Sequence, residues 1–263
     1  MSDKVAIRHL PTGVPGLDEI LGGGLPEFSF NLIAGAPGAG KTTLAQQIMF
    51  TLSGPDRPAL YITVAGEPPL KMLRYQQQFT YFDLARVNES VRYVNLSQDI
   101  VNGRLERLLA RIVQEVEATS PRVVVVDSFR SVAQAAERAE NAALDLQHFV
   151  QQLAVRLTGW EATTFLVGEY LASEIEQNPV FTVADGLLWL KKKPRSELDG
   201  SQDAGHEAAR TGADSRTAYV PHHRPWRAGV PAGDRRSGAK TRRDAVENRG
   251  AAQTSLRRRP DVG

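Results

Sequence analysis

The stretch Gly35-Ala-Pro-Gly-Ala-Gly40-Lys41-Thr42 fits the spacing G-x-x-x-x-G-K-S/T, and no other segment restricts the fold of this chain so tightly. An apolar, β-favouring run, SFNLIA at 29–34, comes immediately before it. A helical pattern over 43–52 follows. A glycine-rich turn joining a strand to a helix is the start of an α/β unit.

The residue types in that turn answer to a chemical requirement. Gly35, Gly38 and Gly40 carry no Cβ, so backbone N–H groups there can close around phosphate oxygens. Lys41 would place its ammonium between a β- and a γ-phosphate, and Thr42 would give its hydroxyl to Mg²⁺. The N-terminus of the following helix adds partial positive charge. Gly35, Ala36, Pro37, Gly38, Ala39, Gly40, Lys41, Thr42 and Thr43 are therefore the candidate nucleotide-binding residues, with ATP and Mg²⁺ as the implied cofactors.

Short β-rich runs alternate with helical patterns through the first 190 residues: ALYITVA at 59–65, VRYVNLS at 91–97, RVVVVDS at 122–128 and TTFLVGEY at 163–170. The rhythm predicts a mostly parallel sheet flanked by helices. Leu105, Leu108, Leu109, Ile112, Val113 and Val116 recur at the spacing of one helix face, which marks a crossover helix. Val123 to Val126 form an uninterrupted apolar run, as a central strand covered on both faces requires.

Three carboxylates stand at the ends of such runs. Asp127 closes VVVVD, where a parallel strand delivers an acid to the sheet edge; it is the candidate to hold Mg²⁺ through water, the alternative being a cap on the next helix. Glu67 follows ALYITVAG and could orient and polarise an attacking water, or serve as a first-turn acid favoured by a helix dipole. Glu169 closes TTFLVGE and could sense a γ-phosphate, or be a solvated strand end. Lys41, Glu67 and Glu169 are thus the candidate catalytic residues. The histidines, His9, His148, His222 and His223 among them, form no metal-ligand spacing.

Composition narrows the setting. There is no cysteine, which removes disulfides and cysteine-bound metal, and no apolar stretch long enough for a membrane span or a signal peptide. A cytoplasmic protein without membrane contact is expected. The net charge of +2 conceals an asymmetry: residues 1–190 hold 15 Lys/Arg against 21 Asp/Glu, and residues 191–263 hold 17 against 9. After Leu190 periodicity disappears and Gly, Pro, Ala, Ser, Arg and Asp dominate. Residues 191–263 therefore read as an irregular basic tail, suited only to nonspecific nucleic-acid contact.

In combination these segments resemble a known family. Thr12-Gly-Val-Pro-Gly-Leu-Asp-Glu-Ile-Leu-Gly-Gly-Gly-Leu-Pro26 ahead of the glycine loop is similar to the opening motif of KaiC-type ATPases, and Val-Val-Asp127-Ser-Phe-Arg130 to their Walker-B segment. The resemblance continues through Gly168-Glu-Tyr170 and Val183-Ala-Asp-Gly-Leu-Leu-Trp189, spanning about residues 8–190. It implies a RecA-like P-loop NTPase domain, ATP bound between subunits of a hexameric homo-oligomer, slow hydrolysis, and a signalling or circadian-type role through a protein partner. Phe28 stands where the family usually has Gly, and the paired glutamates of the clock proteins appear as Glu67 alone. With one phosphate loop and no internal repeat, autokinase activity is not carried over.

The tail departs from the family pattern in an informative way. Back-translating residues 202–223 with free codon choice and shifting the frame permits K-M-Q-V-M-K-L-R-G-Q-A-P-I-P-G-L-H-T-F-R-I, close to the family's own continuation. A frameshift between about Leu190 and Gln202 is the reading. It removes the K-x-R-G segment that, by the resemblance, presents cations to a neighbouring subunit's ATP, and it predicts an exposed sheet edge. Two other classes share the phosphate loop: a RadA-like DNA-binding repair ATPase, and an inactive nucleotide-binding module. The acidic balance of residues 1–190 and the lack of a cysteine zinc ribbon weigh against DNA binding.

Overall fold

Burial of the Val123 to Val126 run on both faces sets the centre of the molecule: all four side chains are fully enclosed. The computed structural model describes residues 6–64, 69–100, 105–137, 142–176, 178–192 and 215–221. In chain order the elements are β1 (His9–Leu10), α1 (Leu17–Ile20), β2 (Leu25–Pro26), β3 (Phe30–Gly35), α2 (Lys41–Leu52), β4 (Ala59–Thr63), α3 (Pro69–Gln76) and β5 (Val91–Asn95). Then come α4 (Leu105–Thr119), β6 (Val123–Asp127), α5 (Phe129–Ala136), α6 (Ala142–Gly159), β7 (Thr163–Glu169), α7 (Val180–Val183), β8 (Gly186–Lys192) and β9 (Ser215–Pro221).

The main sheet has the order β5-β4-β6-β7-β3-β8-β9. The first six strands are parallel and β9 is antiparallel to β8. Side chains alternate between two cores, as the pleat demands. Leu32, Leu60, Ile62, Val124, Val126 and Leu166 pack with α4, α5 and α6 on one face. Ile33, Tyr61, Val123, Val125, Phe165 and Val167 pack with α2 on the other. This is the helix-flanked, mostly parallel sheet of a RecA-like domain, and the crossover helix falls where its apolar period places it, at α4. β4, β5, β6 and β7 stop one or two residues short of their runs at the C-terminal ends, whereas β3 continues one residue past its own, to Gly35.

The segment 12–26 is an anchor for α2. Thr12, fully buried, donates to Asp18 Oδ1 through both its backbone N–H at 2.9 Å and its Oγ1 at 2.6 Å. Gln47 Nε2 on α2 donates to the Gly13 carbonyl at 3.0 Å, which ties this closed loop to the helix that opens the site. Asp185 has a comparable role at the start of β3: its Oδ2 accepts the Phe30 N–H at 2.8 Å, one residue before pairing with β8 begins.

Strand pairing reaches into the segment whose composition suggests no regular structure. β8 continues to Lys192, and β9 pairs with it from Gly186↔Pro221 to Lys192↔Ser215. The outer edge of β8 is therefore covered rather than exposed, because an unpaired edge offers a row of backbone groups that a nearby extended segment satisfies. The rest of residues 191–263, with the basic tail and the frame change assigned to it, lies outside the described residues.

A tether holds the loop that leaves β7. Arg130 Nη1 on α5 donates to Glu174 Oε1 at 2.5 Å, and the Leu171 N–H donates to Glu174 Oε2 at 2.6 Å. The Leu171 amide, followed by the guanidinium, holds the Glu174 carboxyl below its ordinary pKa. Its contribution is therefore complete above the unfolded value of about 4.3 and is lost as pH falls through the lower folded value. The protection factor of the Leu171 amide is expected to fall as pH drops below the ordinary carboxylate range, and Glu174→Gln should bring that loss of protection to neutral pH.

Backbone strain appears at Phe28, which has φ 63° although it carries a side chain. The left-handed region costs a residue with a Cβ roughly 1–2 kcal/mol. Phe28→Gly should consequently be more stable than Phe28→Ala by about 1 kcal/mol in denaturant unfolding, the reverse of the usual order; an alanine variant at least as stable would remove the strain argument.

Candidate functional site

Parallel pairing assembles the site at one edge of the sheet. β3 ends at Gly35, in register with Glu169 of β7 and Leu190 of β8. Gly35 has φ 148°, and a Cβ there would lie 2.3 Å from the Leu190 carbonyl oxygen, so only glycine lets the chain leave the sheet here. Gly40, at φ 90°, then begins α2 with no side-chain cap. The first turn of α2 contains no acid. The positive end of the helix dipole therefore faces the loop without an acidic side chain to offset it.

β6 brings Asp127 to the same edge, level with Thr63 of β4 and Val167 of β7. Thr42 Oγ1 donates to Asp127 Oδ2 at 2.8 Å. Ser128 occupies the N-cap of α5 without a capping hydrogen bond, and the Asp127–Ser128 peptide is cis. The Asp127 carboxylate is thus joined to the glycine-loop helix, and the capping alternative does not describe it.

Lys41 is almost completely enclosed; its Nζ donates to the Ala36 carbonyl at 2.9 Å and lies 3.8 Å from Glu169 Oε1. Glu169 is half exposed and shares with Lys41 a cavity of about 250 Å³. Gly38, Gly40, Thr42, Thr43, Asp127, Ser128 and Gly168 complete its lining. Ala36 and Pro37 form the exposed tip of the loop, and Ala39 is buried beneath it. Glu67 lies outside the described residues. A larger cavity, about 500 Å³, is lined by Leu70, Lys71, Arg74, Tyr75 and Gln78. It is built on α3 and the turn after it, and among the described residues its lining includes neither a carboxylate nor a glycine-loop residue.

The residues present suit a hydrated magnesium ion and a phosphate chain. Thr42 and Asp127 offer hard oxygen ligands side by side, the donor type that Mg²⁺ takes. Lys41 and the uncapped helix end supply positive charge for the phosphates. Among the described residues, no group of three or more His, Cys, Asp or Glu side chains forms another metal site. No described helix is long and apolar enough to cross a membrane.

Sequence patterns alone do not reveal Tyr61. Its hydroxyl donates to the same Asp127 Oδ2 at 2.6 Å, from inside a strand where an aromatic residue reads simply as core. Burial, and then the charge of Asp127, raise its pKa well above the ordinary tyrosine value, so the phenol remains a hydrogen-bond donor at neutral pH. Ser128 and Gly168 are further lining residues, which stand in the motifs that carry the resemblance but were given no role from the sequence.

Comparison with known proteins agrees with this geometry. The family described as "ATPase: KaiC" matches residues 10–211. A UPF0273 protein of Thermotoga maritima is 31% identical over 140 residues, covering 46% of this chain and 56% of that protein. The circadian clock oscillator protein KaiC of Prochlorococcus marinus is 30% identical over 142 residues, 51% of this chain and 28% of its own length. The DNA repair protein RadA of Mycolicibacterium smegmatis is 31% identical over 131 residues, 50% of this chain and 25% of its own. This chain thus spans about half of the Thermotoga relative and about a quarter of the other two. A KaiC-like protein from Pyrococcus horikoshii superposes with a TM-score of 0.58 at 25% identity, over 73% of this chain and 85% of that one. The match takes in the glycine loop, both carboxylate-bearing strand ends and the whole parallel sheet, and the chain belongs to the KaiC family of ATPases, built on the RecA-like fold.

Proposed function

We propose that this chain binds Mg·ATP at the 35–43 loop and hydrolyses it slowly, as a cytoplasmic module of signalling or circadian-type regulation. The observation that carries the reading is the convergence of Lys41, Thr42 and Asp127 on one cavity at the C-terminal edge of the sheet. At about 250 Å³ that cavity is smaller than the roughly 300–1,000 Å³ of pockets that enclose a drug-sized ligand. It suits the phosphate end of a nucleotide, with the base held elsewhere, as between subunits of a ring.

Each residue has a distinct task. The loop amides and the N-terminus of α2 hold the β-phosphate, and Lys41 exchanges its contact with the Ala36 carbonyl for β- and γ-oxygens. Thr42 contributes its hydroxyl to the metal's shell and Asp127 holds the shell through water. Magnesium held there would neutralise part of the phosphate charge. Glu67 orients and polarises the attacking water. Glu169, beside Lys41, senses the γ-phosphate. A neighbouring subunit's K-x-R-G cations would stabilise the transferring phosphoryl group, and a frame change after Leu190 would remove them. Binding with weak turnover and impaired ring assembly follow, since a trans-acting cation is worth about 10³–10⁵-fold in related enzymes.

The RadA similarity supports a second reading, a DNA-dependent repair ATPase. Residues 1–190 carry a net negative charge, which opposes a concentrated phosphate-binding surface. Nucleotide-dependent DNA affinity would favour that reading; salt-sensitive affinity indifferent to nucleotide would reflect only the basic tail.

Calorimetry and phosphate release test the proposal together. Wild-type chain should bind Mg·ATP, Lys41→Ala should lose binding, and Glu67→Gln should keep it while losing turnover. A chain with the reading frame restored after Leu190 should gain both oligomer mass and phosphate release. Absence of any heat with Mg·ATP in the folded wild type would end the proposal, and binding without turnover even in the restored chain would leave an inactive nucleotide-binding module.

A further inference from the structure

Asp127 Oδ2 accepts two hydroxyl hydrogen bonds, and the ATPase reading accounts for only one donor, Thr42. The other, Tyr61, stands on β4 opposite Val125, two residues before Asp127 on β6. A diagonal neighbour of this kind is within reach of an aromatic side chain on the same face of a sheet. The ring is 1% exposed and packs on Tyr93 of β5, with centroids 5.3 Å apart. Tyr93 in turn donates to Gln46 Oε1 at 3.2 Å. Gln46 is fully buried on α2, one helical turn beyond Thr42.

Packing does not require this hydroxyl. Phenylalanine would fill the same space without the cost of burying a polar group, which is offset only when that group is hydrogen-bonded. The hydroxyl donates to Asp127 Oδ2 at 2.6 Å, in the range of a charge-assisted bond, with the Gln46 side chain as a further polar neighbour. Its effect is directional: a donor from β4 and a donor from α2 meet at one oxygen and fix the rotamer of the carboxylate. Partners of this kind behind a metal-holding carboxylate are commonly worth 10- to 100-fold in metal affinity.

We infer that Tyr61 is a positioning residue for the divalent cation: its buried hydroxyl holds Asp127 in the orientation from which, with Thr42, the carboxylate holds the metal's shell. This rests on the reading of the 35–43 loop and Asp127 as a Mg·ATP site. Tyr61 touches neither nucleotide nor metal in this account. It acts on nucleotide binding through the cation alone, leaving metal-free affinity unaffected.

The test uses the full chain, with Mn²⁺ as the probe, titrated by electron paramagnetic resonance in the presence of ADP, and with ATP affinity in EDTA measured by calorimetry. Tyr61→Phe should weaken Mn²⁺ binding by about tenfold while leaving metal-free ATP affinity and the far-ultraviolet circular dichroism unchanged. Tyr93→Phe, which removes a hydroxyl bonded to Gln46 rather than to Asp127, should leave Mn²⁺ affinity at the wild-type value. Asp127→Asn should weaken Mn²⁺ binding, and adding Tyr61→Phe to it should bring no further loss, since the two act through one contact. Wild-type Mn²⁺ affinity in Tyr61→Phe would overturn the inference, as would an equal loss in Tyr93→Phe or full additivity with Asp127→Asn. A wild type that binds neither ATP in EDTA nor Mn²⁺ with ADP would overturn the site reading itself, and this inference with it.

Discussion

Parallel pairing in register is the constraint from which the site follows. Because β3, β6 and β7 run the same way and end within two residues of one another, Gly35, Asp127 and Glu169 emerge at one edge of the sheet. They are separated by more than ninety residues of sequence between the first and the second. Antiparallel neighbours would send these ends to opposite edges. The crossover helices that make parallel pairing possible also cover both faces of the sheet, which is why the central run Val123 to Val126 is apolar throughout rather than alternating.

Within that frame the polar groups are few and closely placed. The loop leaves the sheet through a glycine pressed against the Leu190 carbonyl, and α2 starts without a cap. The Lys41 ammonium is held on the Ala36 carbonyl beside Glu169, and one Asp127 oxygen gathers hydroxyls from α2 and β4. Positive charge and hydrogen-bonding groups are thus gathered at one edge of the sheet. The anchors farther away, Thr12 to Asp18 and Asp185 to Phe30, position the elements that present these groups.

The C-terminal edge of the sheet shows how composition and pairing can diverge. The residues around β9 have the Gly, Arg and Ala content of an irregular segment, yet Ser215–Pro221 forms a ladder with β8. Thr217, Tyr219 and Val220 are strand-favouring types in a run too short to register as a period. The neighbouring strand, with its unpaired backbone groups, supplies the order that the segment's own pattern lacks.

Local chemistry in the sequence was enough for the glycine turn between β3 and α2, the apolar centre of the sheet, the α4 crossover and the strand-end positions of Asp127 and Glu169, since each depends on a short spacing or a period readable in one segment. The family resemblance was legible for the same reason, being carried by contiguous motifs. Contacts between segments were not: that Tyr61 reaches Asp127, that Gly35 abuts Leu190, that Arg130 holds Glu174 and that β9 covers β8 are decided only when strands distant in sequence lie side by side. A tyrosine in an apolar run has the same sequence signature whether its hydroxyl meets solvent, a carbonyl or a carboxylate. Tertiary structure makes that choice, because the partner is selected by register across the sheet and not by any neighbour along the chain.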